Sequence, residues 1–231
     1  MIKIENGVVG GLEAAVRGMR NPMNSWEKSD SKWDYPKDDK RAVIPEEGLL
    51  FYIGPNDLDL MKRLVKAGPD HSKFMRMIGV SLDIVAPLYW WKEFDTYKVG
   101  TVANSCSTMH KIHDKPFTLD DFSTEHLSEE KEVMMYDEEP WSSAEVLYMT
   151  IGLMNYYRKK FIETKNKACW WQMIQLLPTS YNQRRTVSLN YAVLANMYKA
   201  RKAHKLDEWR EFCKWIESLP YSELITGEWE K

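Results

Sequence analysis

Apolar and polar positions alternate with two different periods along this chain, and the clearest change of period lies between residues 185 and 201. Arg185, Thr186, Val187, Ser188 and Leu189 form a short β-prone run that meets Asn190, a good helix N-cap, after which a helical pattern begins. Helical geometry sets Asn190, Leu194, Met197 and Arg201 on one stripe, roughly 16 Å long at 1.5 Å per residue. Such a stripe is normally apolar throughout. Here an amide stands at one end and a guanidinium at the other, a pairing suited to a long polar ligand with an anionic end. Asn196 adds an amide on a neighbouring face. The simpler reading is that Asn190 only caps the helix and Arg201 only meets its C-terminal carbonyls.

The remaining elements follow from the same patterning. Residues 1–9 contain a strand-like run punctuated by Gly10 and Gly11, and Leu12, Val16 and Met19 make a helical stripe ending near Pro22. Residues 23–47 are polar and predict a long loop, a type of segment that is usually functional or mobile. A strand is predicted over 49–53, then a turn and cap at 54–57 opening a helix over 58–67 that Gly68 and Pro69 stop. Residues 74–85 read as a strand pair or one long buried strand, 87–94 as a Trp-rich helical segment and 95–115 as a loop. After an acidic stretch at 125–140 comes a helix over 142–163, with Val146, Met149, Leu153, Tyr156 and Tyr157 as its expected apolar face. A second helix over 168–177 ends at Pro178. No internal repeat or low-complexity tract interrupts this order.

Composition narrows the class. A chain of 231 residues with 44% hydrophobic content can bury a sizeable core, most simply as a single domain over 1–231. A net charge of −2 gives no reason to expect nucleic acid, which demands a concentrated basic surface. Three widely spaced cysteines, Cys106, Cys169 and Cys213, argue against a disulfide framework. No apolar run reaches the ~18 residues that span a bilayer, so the expectation is a cytoplasmic protein without a membrane partner. Local chemistry adds little. His110 and His113 lack partners at zinc spacing, so no metal is expected. Arg184 and Arg185 read as an anion clamp or as a solvated strand edge, and Cys106 as a small buried residue.

The helix over 191–201 and its flanks resemble the C-terminal signature of the flavin-dependent thymidylate synthases, the thymidylate-synthase-complementing family. That signature has Leu-Pro, a strand, Asn-Ala-Arg-Ser-Leu opening a helix, a further Asn and an Arg near the helix end. Leu177, Pro178, Asn190, Leu194, Asn196 and Arg201 lie on it without a gap, and residues 206–211 resemble the Ala-Gln-Trp-Glu-Ile element that follows. Ala192 stands where the family has the Arg of Asn-Ala-Arg. A second block resembles an apolar strand, Ala-Pro, Arg-Gln and the motif RHRxxSxNExSxRY: here 80–85, Ala86-Pro87, Glu93, then Thr96-Tyr97-Lys98 and 104–110. Ser72-Lys73-Phe74 resembles the upstream Ser-Pro-Phe element, and 10–20 the opening segment.

The resemblance implies an α+β fold, a central mostly antiparallel sheet packed by helices, and a homotetramer with sites at subunit boundaries. It implies FAD and a uridine nucleotide as ligands, with reductive methylation of dUMP to dTMP if the protein is catalytic. Ser72, Tyr97, Lys98, Asn104, Asn190 and Asn196 fall at flavin-binding positions, and Glu93, Ser107 and Arg201 at substrate positions. Within the 95–115 loop, Arg-His-Arg has become Thr96-Tyr97-Lys98. Two substrate-gripping arginines have become Met109 and Ile174. Each lost charge-assisted contact is worth about 1.5–3 kcal/mol. Losing two implies roughly 10²- to 10⁴-fold weaker dUMP binding in the usual pose. The alternative is therefore a non-catalytic relative that sequesters or senses a nucleotide-like ligand, a cyclic nucleotide included.

Overall fold

The computed structural model describes residues 2–36, 48–134 and 140–227. Strand β1 (Lys3–Gly10) leads into helix α1 (Leu12–Arg20), and β2 (Lys32–Asp34) and β3 (Leu50–Tyr52) follow. Helix α2 (Pro55–Lys66), strand β4 (Gly79–Pro87), helix α3 (Leu88–Phe94) and strand β5 (Val102–Ser105) come next. Short strands β6 (Val133–Met134) and β7 (Pro140–Trp141) precede α4 (Ser143–Thr164) and α5 (Lys167–Leu176). The chain closes with β8 (Asn182–Asn190), α6 (Tyr191–Arg201), α7 (Asp207–Glu217) and α8 (Glu223–Thr226). Four strands form one sheet in the order β1-β4-β8-β5, while β2 pairs antiparallel with β3 and β6 with β7. Among the described residues no helix is long and apolar enough to cross a membrane.

Two compact units make up the chain. The first comprises Met1–Lys3, Val85–Phe94 and Ser105–Arg185, and the second Ile4–Ile84, Asp95–Asn104 and Thr186–Lys231. In the first, Leu147, Ile151 and Met154 of α4 and Met173 of α5 join Ile112, Phe117 and Phe122 in a buried cluster. A capping box starts α4: Ser142 Oγ accepts from Glu145 N at 3.1 Å, and Glu145 Oε2 accepts from Ser142 N at 2.9 Å. The face expected to be buried on this helix is not the one that packs. Tyr157 meets the core, but Val146, Met149, Leu153 and Tyr156 are 37–49% exposed. The helix is apolar on two opposite sides, so periodicity alone could not choose between them.

In the second unit β4 shows strict alternation, with Val80, Leu82 and Ile84 buried. Asp83 on its other face accepts from Asn6 Nδ2 at 2.9 Å and from Thr186 Oγ1 at 2.6 Å, a polar tie across β1, β4 and β8. Only its later half matches the strand reading of 74–85, because residues Lys73–Arg76 form a 3₁₀ turn. Helix α2 begins at Pro55, earlier than predicted, since proline is accommodated at the first helical position. The 95–115 stretch, expected as a loop, contains β5, and the polar 23–47 stretch contains β2; residues 37–47 lie outside the described residues. Cys106, expected to be buried, is exposed just beyond β5, a strand at the sheet edge whose four residues are all exposed.

A buried ion pair ties the polar segment before β2 to α2. Arg20 Nε lies 2.6 Å from Asp57 Oδ1, and both side chains are nearly or wholly excluded from solvent. Asp57 Oδ2 also accepts from Ser29 Oγ at 2.6 Å and Ser31 Oγ at 2.5 Å, while Arg20 donates to the Ser25 and Lys28 carbonyls, each at 3.1 Å. Burial by itself raises the Asp57 carboxyl, but the two hydroxyls and the guanidinium outweigh it and hold the group below its ordinary value of 3.8. Asp30 then reaches the start of α2, accepting from Asn56 N at 2.9 Å and Asp57 N at 3.0 Å. Gly54 is required beside it, because a Cβ there would lie 2.3 Å from Asp30 Cγ.

Candidate functional site

Helix α6 begins as its sequence dictates. Asn190 is extended at the N-cap and its Oδ1 accepts from Val193 N at 3.1 Å, satisfying one orphan amide. Leu194 and Met197 of the same stripe are wholly buried, as is Tyr191, whose hydroxyl donates to the Pro220 carbonyl at 2.5 Å. The stripe is therefore anchored in the second unit's core and polar at its two ends. Asn190 does cap the helix, as the simpler reading holds, and its Nδ2 lies against Gly100: a Cβ at Gly100 (φ +76°) would stand 3.1 Å from it. Only glycine suits that approach at a positive φ.

At the far end, Arg201 does more than meet carbonyls. Its Nε donates to Tyr97 Oη at 3.0 Å, and its guanidinium lies 4.7 Å from the Trp209 ring and 5.7 Å from the Tyr97 ring. Tyr97 and Trp209 meet edge to face at 6.1 Å. Trp209 is fixed by burial on α7, along with Phe212, Cys213 and Ile216. Burial pushes the Cys213 thiol up to about 11, which suits packing rather than nucleophilic work. Cation–π contacts of this kind orient a guanidinium, each worth about 0.5–2 kcal/mol. The part of Trp209 in this arrangement was missed in the sequence, where it stood only as one residue of the tail element.

The other expected residues divide between the units. Ser72, Tyr97, Lys98, Asn104, Asn190, Asn196 and Arg201 belong to the second, Glu93 and Ser107 to the first. Lys98, Asn104 and Asn196 are exposed, whereas Ser72, Tyr97 and Asn190 are half-buried. For the polar set expected at a flavin, the fit is incomplete. The Asn190 side-chain carbonyl is engaged by the helix cap and Tyr97 Oη accepts from Arg201, so these two can meet a cofactor only as donors, beside Ser72, Lys98, Asn104 and Asn196. In the first unit, Ser107 Oγ accepts from Met109 N at 3.2 Å and His110 N at 2.8 Å, so this serine shapes a turn. Ile174 packs against the first unit's core. Arg185 is not a solvated edge: it lies 4.2 Å from the Trp91 ring and donates to Gln183 Oε1 at 2.9 Å. Among the described residues no group of three or more His, Cys, Asp or Glu could hold a metal ion.

Neither a protein-family model nor a curated protein matches the chain. Solved structures do. A flavin-dependent thymidylate synthase from Helicobacter pylori, complexed with FAD and dUMP, aligns with a TM-score of 0.65 at 18% identity, covering 97% of this chain and 98% of that one. The UMP/dUMP methylase PolB from Streptomyces cacaoi, bound with 5-Br dUMP, aligns with a TM-score of 0.61 at 12% identity, covering 98% and 94%. The resemblance carried by 177–201 and 80–110 thus holds at the level of the whole fold.

Proposed function

We propose that this chain, which carries the fold of the flavin-dependent thymidylate synthases, is a nucleotide-binding protein whose ordinary dUMP chemistry has been altered or lost. The observation that carries the reading is the arrangement at the end of α6, where Tyr97 and Trp209 hold Arg201. A guanidinium whose plane is fixed between aromatic side chains presents its N–H fork in the geometry that carboxylates and phosphates accept from. The neighbours in fold bind dUMP with FAD and 5-Br dUMP respectively, which points to a uridine nucleotide as the ligand class. Against full catalysis stand the apolar residues Met109 and Ile174 at two expected arginine positions, and the incomplete flavin set.

The test is a thermal-shift and calorimetric screen of the purified protein against dUMP, UMP and cyclic nucleotides. A ligand at 100 times its Kd adds about 2.7 kcal/mol of stability. A clear shift with a nucleotide, in a protein that is colourless and makes no dTMP from dUMP, methylenetetrahydrofolate and NADPH, is the expected result. Absence of any nucleotide shift sinks the reading.

The second reading keeps the reaction, with FAD held by Ser72, Lys98, Asn104 and Asn196. Near-complete coverage of an FAD- and dUMP-bound structure favours it. A flavin spectrum in the purified protein together with dTMP formation establishes it. In either case the protein works in the cytoplasm as a homotetramer. The exposed apolar stripe Val146, Met149, Leu153 and Tyr156 on α4 supports self-association, since an isolated chain gains nothing by leaving it in water.

A further inference from the structure

A cleft of about 260 Å³ opens in the first unit, lined by Met109, His110, His113, Phe161, Lys167 and Trp170. Three of these six residues can carry positive charge and none is acidic. The nearby Asp114 is engaged by Lys111 at 3.2 Å and stands 3.7 Å from His113 Nε2. Nothing among the described residues pairs with the Lys167 ammonium, and His113 Nδ1 is buried without a hydrogen-bond partner. A buried polar atom left unmatched costs about 1–3 kcal/mol, so its retention points to a partner supplied from outside the chain.

Hydrogen bonds and ring contacts hold the walls in place. Trp170 donates its indole N–H to the Met109 carbonyl at 3.0 Å, and the His113 ring meets Phe161 edge-on at 4.9 Å. Arg158 on α4 fixes the loop that bears His113, donating to the His113 carbonyl at 2.9 Å and the Asp114 carbonyl at 3.1 Å. Ser107 fixes the turn that bears His110. The volume is below the usual ~300–1,000 Å³ of a pocket for a complete organic ligand. It suits a phosphate with its attached sugar better than a dinucleotide.

We infer that this cleft is a phosphate site in which Lys167 supplies the charge and the His110 and His113 imidazoles supply hydrogen-bonding groups, with the ligand's sugar or ring against Trp170. The ligand's identity as a nucleotide rests on the reading above; the cation set does not. Direct contact is read from the histidine ring resonances of the full-length protein, titrated separately with dUMP and with inorganic phosphate. Both are expected to move the His110 and His113 signals, with dUMP saturating at the lower concentration. Lys167→Glu should weaken both ligands tenfold or more, and Lys167→Arg should restore them. If phosphate moves the rings and dUMP does not, the phosphate site stands without a nucleotide in it, and dUMP binding by calorimetry decides the nucleotide reading separately. If dUMP binds with the rings unmoved and Lys167→Glu without effect, the site falls and the nucleotide reading stands. If neither ligand moves the rings, the site is overturned.

Discussion

Arg20 lies buried with its Nε 2.6 Å from a wholly buried carboxylate, whereas Arg201 lies half-buried with its Nε on a tyrosine hydroxyl and its plane near two aromatic rings. Both are fixed, both belong to the second unit, and they do different work. Arg20 is matched by Asp57 and by the Ser25 and Lys28 carbonyls, so its charge is consumed in holding the segment before β2 to α2. Arg201 is flanked by aromatic faces and donates to a hydroxyl, contacts that orient its guanidinium. A desolvated acid commits a guanidinium to structure, whereas an aromatic flank fixes the plane of its fork.

Substitutions separate the two. Asp57→Asn leaves the Arg20 guanidinium without its counter-charge and should lower unfolding stability by about 3–5 kcal/mol in urea titrations. A loss below 1 kcal/mol would show that the pair is not structural. Arg201→Ala should leave the urea midpoint nearly unchanged yet weaken nucleotide binding about 10- to 100-fold by calorimetry, the worth of one charge-assisted contact. If folding suffers as much as with Asp57→Asn, the contrast between the arginines is wrong. Acid sharpens it further. Asp57 titrates below its unfolded value, so its contribution is complete above the ordinary 3.8 and is lost as pH falls through the lowered folded value. Urea midpoints should therefore drop on acidification through this range in the wild type, and less steeply in Asp57→Asn. Tyr97→Phe removes only the hydroxyl that receives Arg201 Nε, and should cost about 0.5–1.5 kcal/mol of ligand affinity with the urea midpoint nearly unmoved. On α4, Leu153→Glu should shift the protein to smaller assemblies in light scattering without changing the helical signal.

Which parts of this were readable in the sequence follows from which interactions are local. The Asn190 cap and the start of α2 are set by neighbours along the chain, and the sequence reading places each within a few residues, whereas the strand expected from residue 74 begins only at Gly79. The Arg20–Asp57 pair spans thirty-seven positions and involves no motif, so nothing in either residue's neighbourhood announces it. The same holds for Trp209 at Arg201 and for Lys167 and Trp170 beside His113, where separate stretches of chain supply one site. Helix α4 misled for a different reason. Apolar on both sides, it carries two equally good stripes, and only packing against Ile112, Phe117 and Met173 selects one.

Asp30 caps α2 across the chain while Ser29 and Ser31 clasp Asp57 inside that same helix. These contacts mean that α2 cannot fray from its first turn while the 25–31 segment stays in place, nor the segment peel away alone. In amide hydrogen exchange the two should open as one cooperative unit with a shared free energy, and a protease should find the segment only when the helix has already let go.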